Sequence, residues 1–221
     1  MSIDNLTSQD IITKFELQVS DLTELSSQEE LDLLNDKYQD VCMERPWNFL
    51  KTNKTGALSL DSTTGLYYIP TPDDFGMFYE NNQYTDNSIE IENNASPKVI
   101  FIGVNHDPYQ IVNYDDREQY RNKSRCCYHD MGASKIYFPA TPSDTSFYSL
   151  DYIKVPADLT LLSSTPVFPN RFRKMLWFAM AADNEILQLS SKANSYAVDN
   201  RAKYQDTLQK MEYWHDSQFN N

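Results

Sequence analysis

Glycine is scarce, five residues in a chain of 221. No Gly-rich loop of the kind that cradles a phosphate or a dinucleotide is present. Basic residues are outnumbered as well: 19 Lys and Arg stand against 32 Asp and Glu, a net charge of −13 at pH 7. Binding along nucleic-acid phosphates depends on basic side chains displacing counterions, so a sheath of protein on DNA is excluded. Passage of DNA nearby is not, because an acidic wall repels the polymer and keeps it from sticking. No uninterrupted apolar stretch approaches the roughly 18–20 residues that a membrane span needs. Residues 1–5 lack a basic segment followed by an apolar one, so no secretory signal is read there. Membrane partners are not expected. Cysteines number three, Cys42, Cys126 and Cys127. They cannot all pair with one another, and a bridge between adjacent cysteines is strained. Reduced thiols and a cytoplasmic site of synthesis are the expectation.

What the chain does have is the composition of a folded protein. Hydrophobic residues make up 40% and charged residues 23%, close to globular norms. Fifteen Tyr and 11 Phe are too many for a disordered chain, and a chain of this length buries about 70–75% of its extended surface.

Three zones follow one another. The first, residues 1–52, reads helical. Ser27-Gln28-Glu29-Glu30 has the form of a capping box in which Ser27 and Glu30 satisfy each other's backbone amides. Leu31, Leu34, Tyr38 and Val41 recur at helical spacing behind it, with Asp32, Asp36, Lys37 and Asp40 on the other face. Pro46 stops the helix near Arg45. A shorter helix over 8–15 turns Ile11, Ile12 and Phe15 inward. The second zone changes period from 3.6 to 2. Ala57-Leu58-Ser59-Leu60 and Gly65-Leu66-Tyr67-Tyr68-Ile69-Pro70 read as a hairpin across Asp61-Ser62-Thr63-Thr64. Further strands are expected at Ile89-Glu90-Ile91-Glu92, at 98–104 as a central strand, and at 109–114, 134–138 and 147–155. Thr71-Pro72-Asp73-Asp74-Phe75 reads as a strand exit and turn. The third zone returns to helix, opened by Pro169-Asn170. Phe172, Met175, Leu176, Ala179, Met180, Ile186 and Leu187 form its stripe, Ser190-Ser191 break it, and a second segment runs from about 195 to 216. There Tyr196, Tyr204, Leu208 and Met211 share a face, and the chain frays from Asp216 onward. The resulting architecture is α+β. A helical domain of residues 1–52 and 165–221 carries an inserted antiparallel β domain, 53–164, as a sandwich or small barrel.

A search for chemistry finds no constellation. His106, His129 and His215 lie in different zones. Cys126, Cys127 and His129 lack the second ligand pair of a zinc site, and no residue stands ready to orient a Cys–His nucleophile. The acidic pairs Asp73-Asp74, Asp115-Asp116 and Glu90/Glu92 are what chance adjacency gives among so many carboxylates. No catalytic, cofactor or metal site is assigned, and no enzyme is expected.

Two segments stand out instead as interaction surfaces. Arg45-Pro46-Trp47-Asn48-Phe49-Leu50-Lys51 closes the long helix with bulky aromatics. Trp47 and Phe49 either plug the seam between helices and sheet, or join Arg45 in meeting a neighbouring subunit. Met211-Glu212-Tyr213-Trp214-His215 sets aromatics on more than one helical face, which a lone helix tip cannot bury against its own domain.

The order of these pieces resembles the head–tail connector, or adaptor, proteins of tailed bacteriophages, particularly short-tailed and related types. A helix runs into an aromatic corner, Val41-Cys42-Met43-Glu44-Arg45-Pro46-Trp47-Asn48-Phe49-Leu50. A hairpin then ends in Tyr67-Tyr68-Ile69-Pro70-Thr71-Pro72-Asp73-Asp74-Phe75. Later a strand enters the loop Tyr152-Ile153-Lys154-Val155-Pro156-Ala157-Asp158-Leu159-Thr160. A proline-capped helix follows at Pro166-Val167-Phe168-Pro169-Asn170-Arg171-Phe172, and a long C-terminal helix ends the chain. The resemblance implies a virion structural protein, a homo-oligomeric and typically dodecameric ring beneath the portal protein. Such a ring continues the DNA channel toward tail or nozzle proteins, with double-stranded DNA passing through its lumen unbound. It also implies portal docking by the C-terminal segment with Tyr213, Trp214, His215 and Phe219, and a β zone that meets neighbours or tail proteins; the subunit-interface corner at Arg45, Trp47 and Phe49 is the reading of the residues themselves. Two other readings remain open: another virion ring, stopper or tail protein, and a carbohydrate- or receptor-binding β module whose aromatics stack on sugar rings.

Overall fold

The computed structural model of the protein describes residues 5–19, 25–80, 98–121, 123–183 and 193–219. The chain divides into two compact units, Met1–Leu50 with Val155–Asn221, and Lys51–Lys154. The fold is α+β: N-terminal helices, a large curled mixed sheet in the form of a half-barrel, and a C-terminal helix.

In the helical unit, α1 (Ser8–Val19) turns Ile11, Ile12, Phe15 and Val19 inward, the spacing of one helical face. Its first amides, which have no partner inside the helix, are met from far along the chain. Ser8 and Gln9 donate to the carbonyls of Ser164 and Leu162 at 2.8 and 2.9 Å. Helix α2 (Ser27–Met43) does have a capping box, one residue earlier than predicted. Ser26 accepts from the Glu29 amide, while its own amide donates to the Glu29 carboxylate at 2.7 Å. Glu30 cannot reach back, because it lies on the inward face and is buried. Leu31, Leu34, Tyr38, Val41 and Cys42 complete that face. A short 3-10 turn, Asn48–Leu50, follows.

The loop after the β unit is fastened to α2. Asn35 donates to the Leu159 carbonyl and accepts from its amide, at 3.2 and 2.7 Å, and the Gln39 amide donates to the Pro156 carbonyl at 2.9 Å. The 3-10 turn Asn170–Phe172 then leads into α3 (Lys174–Ala181). This short helix buries Met175, Leu176, Ala179, Met180 and Ala181, and it packs against α1, α2 and α4 (Ala193–Phe219). Helix α4 spans about 40 Å at 1.5 Å per residue. It turns one narrow stripe inward, Ala197, Asn200, Thr207, Met211 and His215, with Tyr204 and Leu208 half-buried. The helix continues past Asp216, where fraying was expected, to Phe219. Ile186, Leu187, Ser190 and Ser191 lie outside the described residues, as does the side chain of Tyr196.

The β unit is built on one sheet. Its strands are β1 (Lys51–Gly56), β2 (Ser59–Leu60), β3 (Tyr67–Pro70), β4 (Phe75–Phe78) and β5 (Val99–Ile102). They are followed by β6 (Asp107–Val112), β7 (Cys126–Asp130), β8 (Lys135–Phe138) and β9 (Tyr148–Lys154). The order is β1-β9-β5-β6-β7-β8-β3-β2, with β4 also paired to β9. Strands β4 and β5 share one edge of β9, β4 along Tyr152–Lys154 and β5 along Tyr148–Ser149. The predicted hairpin is β2–β3, Leu60 opposite Tyr67, closed by Asp61, whose carboxylate accepts from the Thr63 amide at 2.9 Å. Among the described residues the predicted antiparallel pairing holds for every strand pair but one: β6 and β7 run parallel, Ile111 opposite Cys127. The predicted turn at 71–75 is shorter than expected, and Phe75 already begins β4. Ile89–Glu92 lies outside the described residues. The core gathers Leu58, Ile69, Ile100, Ile102, Tyr109, Cys127, Ile136, Phe138, Tyr148, Leu150 and Tyr152.

Candidate functional site

The two segments singled out in the sequence form one cluster in the helical unit. Trp47 is fully enclosed. Its indole N–H donates to the Val41 carbonyl at 2.7 Å, so the ring caps one of the last carbonyls of α2, which a helix cannot satisfy internally. Phe49 stacks on it at 5.5 Å, and His215 from α4 meets it edge-on at 5.3 Å. The imidazole Nε2 accepts from the Asn48 amide at 3.0 Å. That acceptor role puts the ring proton on Nδ1, which faces the Asp216 carboxylate at 3.3 Å. Arg45 completes the circuit, with its guanidinium 2.7 Å from Asp216 and over the Trp47 ring at 5.3 Å. Arg45 first, then His215, hold the Asp216 carboxyl below its ordinary range.

A second aromatic group begins at the preceding residue of α4, on an adjoining face. Trp214 packs on Phe172 at 5.7 Å, and the exposed Arg171 covers both rings, at 4.9 Å from Trp214 and 4.7 Å from Phe172. Tyr213 is 79% exposed and is the part of the segment turned to solvent. The side chain of Phe219 lies outside the described residues. The same region is anchored by Arg173, a buried cation. It donates to the carbonyls of Phe168 and Leu6 at 3.1 Å each, and to the Asn5 side chain. One guanidinium thus ties the start of the chain to the lead-in of α3. The burial that encloses it also lowers its pKa.

Local sequence spacing had no means of finding Arg173, or Glu30. Burial pushes the Glu30 carboxyl above the ordinary glutamate range, with Glu16 of α1 facing it as the second cause. Burial likewise pushes the Cys42 thiol up to about 12.

In the β unit the polar groups that meet serve packing. Asp61 accepts from Lys135 Nζ at 2.8 Å and from the Tyr137 hydroxyl at 2.7 Å. Lys135, then Tyr137, hold its carboxyl far below the usual range. His129 meets Phe75 and Phe78 edge-on at 5.2 and 5.3 Å, its Nε2 3.0 Å from the Thr71 hydroxyl, and burial lowers its pKa. Cys127 points its thiol at the Gln110 carbonyl at 3.6 Å, and Cys126 at that of Lys123 at 3.2 Å. Burial raises both thiols above their ordinary value. Among the described residues no three His, Cys, Asp or Glu side chains gather as a metal site would require. No described helix is long and apolar enough to cross a membrane.

The chain with this order of helix, aromatic corner, β unit and closing helix has a counterpart among known families: one family model matches residues 6–220, through both units. That places the chain among the head–tail adaptors of bacteriophages, structural proteins that join phage head and tail components. It belongs to the family described as SU10 adaptor protein. No curated protein matches the chain.

Proposed function

We propose that the protein assembles as a ring, dodecameric in its usual form, directly beneath the portal at the head–tail junction of the virion. There it continues the DNA channel and offers the surface on which tail or nozzle proteins attach. The observation that carries this reading is the family match over residues 6–220, which leaves neither unit out. The charge balance supports it: with 32 acidic and 19 basic residues, a lumen bordered by this protein repels DNA phosphates and lets the duplex slide.

Portal docking falls to the end of α4. Tyr213 reaches solvent, Trp214 is half-buried beside it, and Phe219 follows one and a half turns later. His215 acts from behind, fixing the pitch of the helix end through Asn48 and Trp47. At the corner, the half-buried Arg45 and Phe49 meet the neighbouring subunit, and the enclosed Trp47 supports them. A ring contact is heterologous and needs no self-complementary patch. An interface of standard size, about 1,600 Å² in total, is enough when the circle closes.

The test is reconstitution. Full-length protein mixed with its portal is expected to join it as a closed ring visible by negative-stain electron microscopy, and Tyr213→Ala with Trp214→Ala is expected to weaken the union. A portal that stays bare at micromolar protein overturns the reading.

A further inference from the structure

From Leu159 to Asn170 the chain carries no charged side chain, although 32 acidic and 19 basic residues are spread through the rest. Phe168 is buried in this run, but Leu161, Leu162 and Val167 are 64%, 39% and 45% exposed. The two leucines stand on a turn that the fold holds still. The Ser164 amide donates to the Leu161 carbonyl at 2.9 Å, and the Gln9 amide of α1 to the Leu162 carbonyl at 2.9 Å. Just before the turn, Leu159 is bonded both ways to Asn35 of α2. A turn already fixed in place gives up little conformational freedom when its side chains are covered.

Asn35 and Gln39, to which this loop is tied, lie on one flank of the inward stripe of α2, and Lys37 and Asp40 lie on the other. On that second flank a cavity of about 510 Å³ opens between α2, α3 and α4, within the size range of sites that enclose a ligand. The buried Ala179 and Ala182 and the half-buried Tyr204 form its apolar lining. Lys37, Asp183, Asp40 and Arg201 border it, two cations and two anions in balance, with Lys37 and Asp183 paired at 2.8 Å.

We propose that the turn with Leu161 and Leu162 of one copy inserts into the α2–α3–α4 cavity of the next copy in the ring. A copy carrying −13 repels its twin, so two copies meet where each is locally neutral. The uncharged turn and the charge-balanced cavity are two such places, one a projection and the other a recess. They sit on opposite flanks of α2, so inserting one into the other joins copies head to tail. Each joined pair keeps a turn at one end and a cavity at the other, which is what lets a heterologous contact run on until the circle closes. The inference rests on the ring reading above and names the contact between neighbours.

The experiment is cysteine cross-linking of full-length variants on the portal. Leu161→Cys and Gln205→Cys replace exposed residues, and the three native cysteines are buried, which keeps them out of the reaction. Mixed in equal amounts with portal and a short bismaleimide, the two variants are expected to give a covalent dimer that neither gives alone. A chain carrying both substitutions is expected to give a ladder of linked oligomers. Leu161→Asp is expected to raise the protein concentration needed for a complete ring about tenfold, the scale of one buried leucine. A complete ring without the 161–205 link overturns this contact and leaves the adaptor reading standing. A link within one chain, between two Leu161→Cys copies, or from Gln205→Cys to the portal overturns the pairing of turn with cavity between neighbours. A portal that stays bare overturns the adaptor reading and this contact with it.

Discussion

The two units solve the problem of loose ends in opposite ways. The helical unit closes on itself. Its start is tied to the lead-in of α3 by Arg173, α1 is capped from the loop at 162–164, and the end of α2 is locked to the end of α4 through Trp47 and His215. The β unit enters and leaves on adjacent strands, Lys51 opposite Ile153, and among the described residues no strand pairs with the outer side of β1. One unit uses long-range polar ties to fix the ends of its helices; the other fixes its ends by main-chain pairing of its first strand with its last.

The strongest way to break the comparison is to unlock the helical unit alone. Trp47→Ala removes a fully enclosed indole and its bond to Val41, and is expected to cost about 3–5 kcal/mol. In denaturant unfolding followed by hydrogen exchange, helical-unit amides should lose protection while Ile136 and Leu150 keep theirs. Simultaneous loss in both units would show that they do not unfold separately.

Within the β unit, Gly103→Ala comes next. Gly103 has φ +72°, and an added Cβ would lie 2.8 Å from Cβ of Asp144, whose carboxylate accepts from the Val104 amide at 3.1 Å. The expected cost is about 2 kcal/mol or more. At Gly65, also left-handed at φ +70° but facing open space, the same change should cost about 1 kcal/mol. Equal costs at the two sites would contradict the packing at Asp144.

Acid should affect the β unit through Asp61. Its folded carboxyl titrates below the ordinary 3.8 because Lys135 and Tyr137 donate to it. It therefore contributes stability above that value, and the contribution is lost as pH falls through 3.8 toward its folded pKa. Asp61→Asn is expected to flatten the pH dependence of β-unit melting in that range. An unchanged acid profile would show that the ion pair is not coupled to folding.

The smallest effect belongs to Glu30, and its sign is opposite. A raised folded pKa favours the protonated form, so Glu30 costs stability once pH rises above its unfolded value of 4.5. Glu30→Gln should raise the melting temperature by roughly 2–4 °C at pH 7, with the gain fading toward pH 4. A lowered melting temperature at pH 7 would indicate a partner for the carboxylate.

Much of this fold was legible in the sequence where side-chain periodicity decides it. Ile11, Ile12 and Phe15 mark α1, Leu31 through Val41 mark α2, and the Asp61 turn between Leu60 and Tyr67 marks the hairpin. Strand β1 was not legible, because Lys-Thr-Asn-Lys-Thr-Gly is held by main-chain bonds to β9 and carries no apolar alternation. The parallel register of β6 on β7 leaves no trace in composition, and Asp73-Asp74 masked the start of β4. The site was half legible. The aromatic corner and the aromatic helix end both announced themselves, but the bond from Asn48 to His215 spans 167 positions, beyond any local period. The Ser26 cap was missed by one residue because Ser27 and Glu30 fit the same motif, and only burial of Glu30 distinguishes them.

Cryo-electron microscopy of the intact particle tests the central claim most directly. A closed ring of this chain between the portal and the first tail component, with the end of α4 against the portal, is the predicted result. Density for the chain elsewhere in the particle, or none at the head–tail junction, would contradict it.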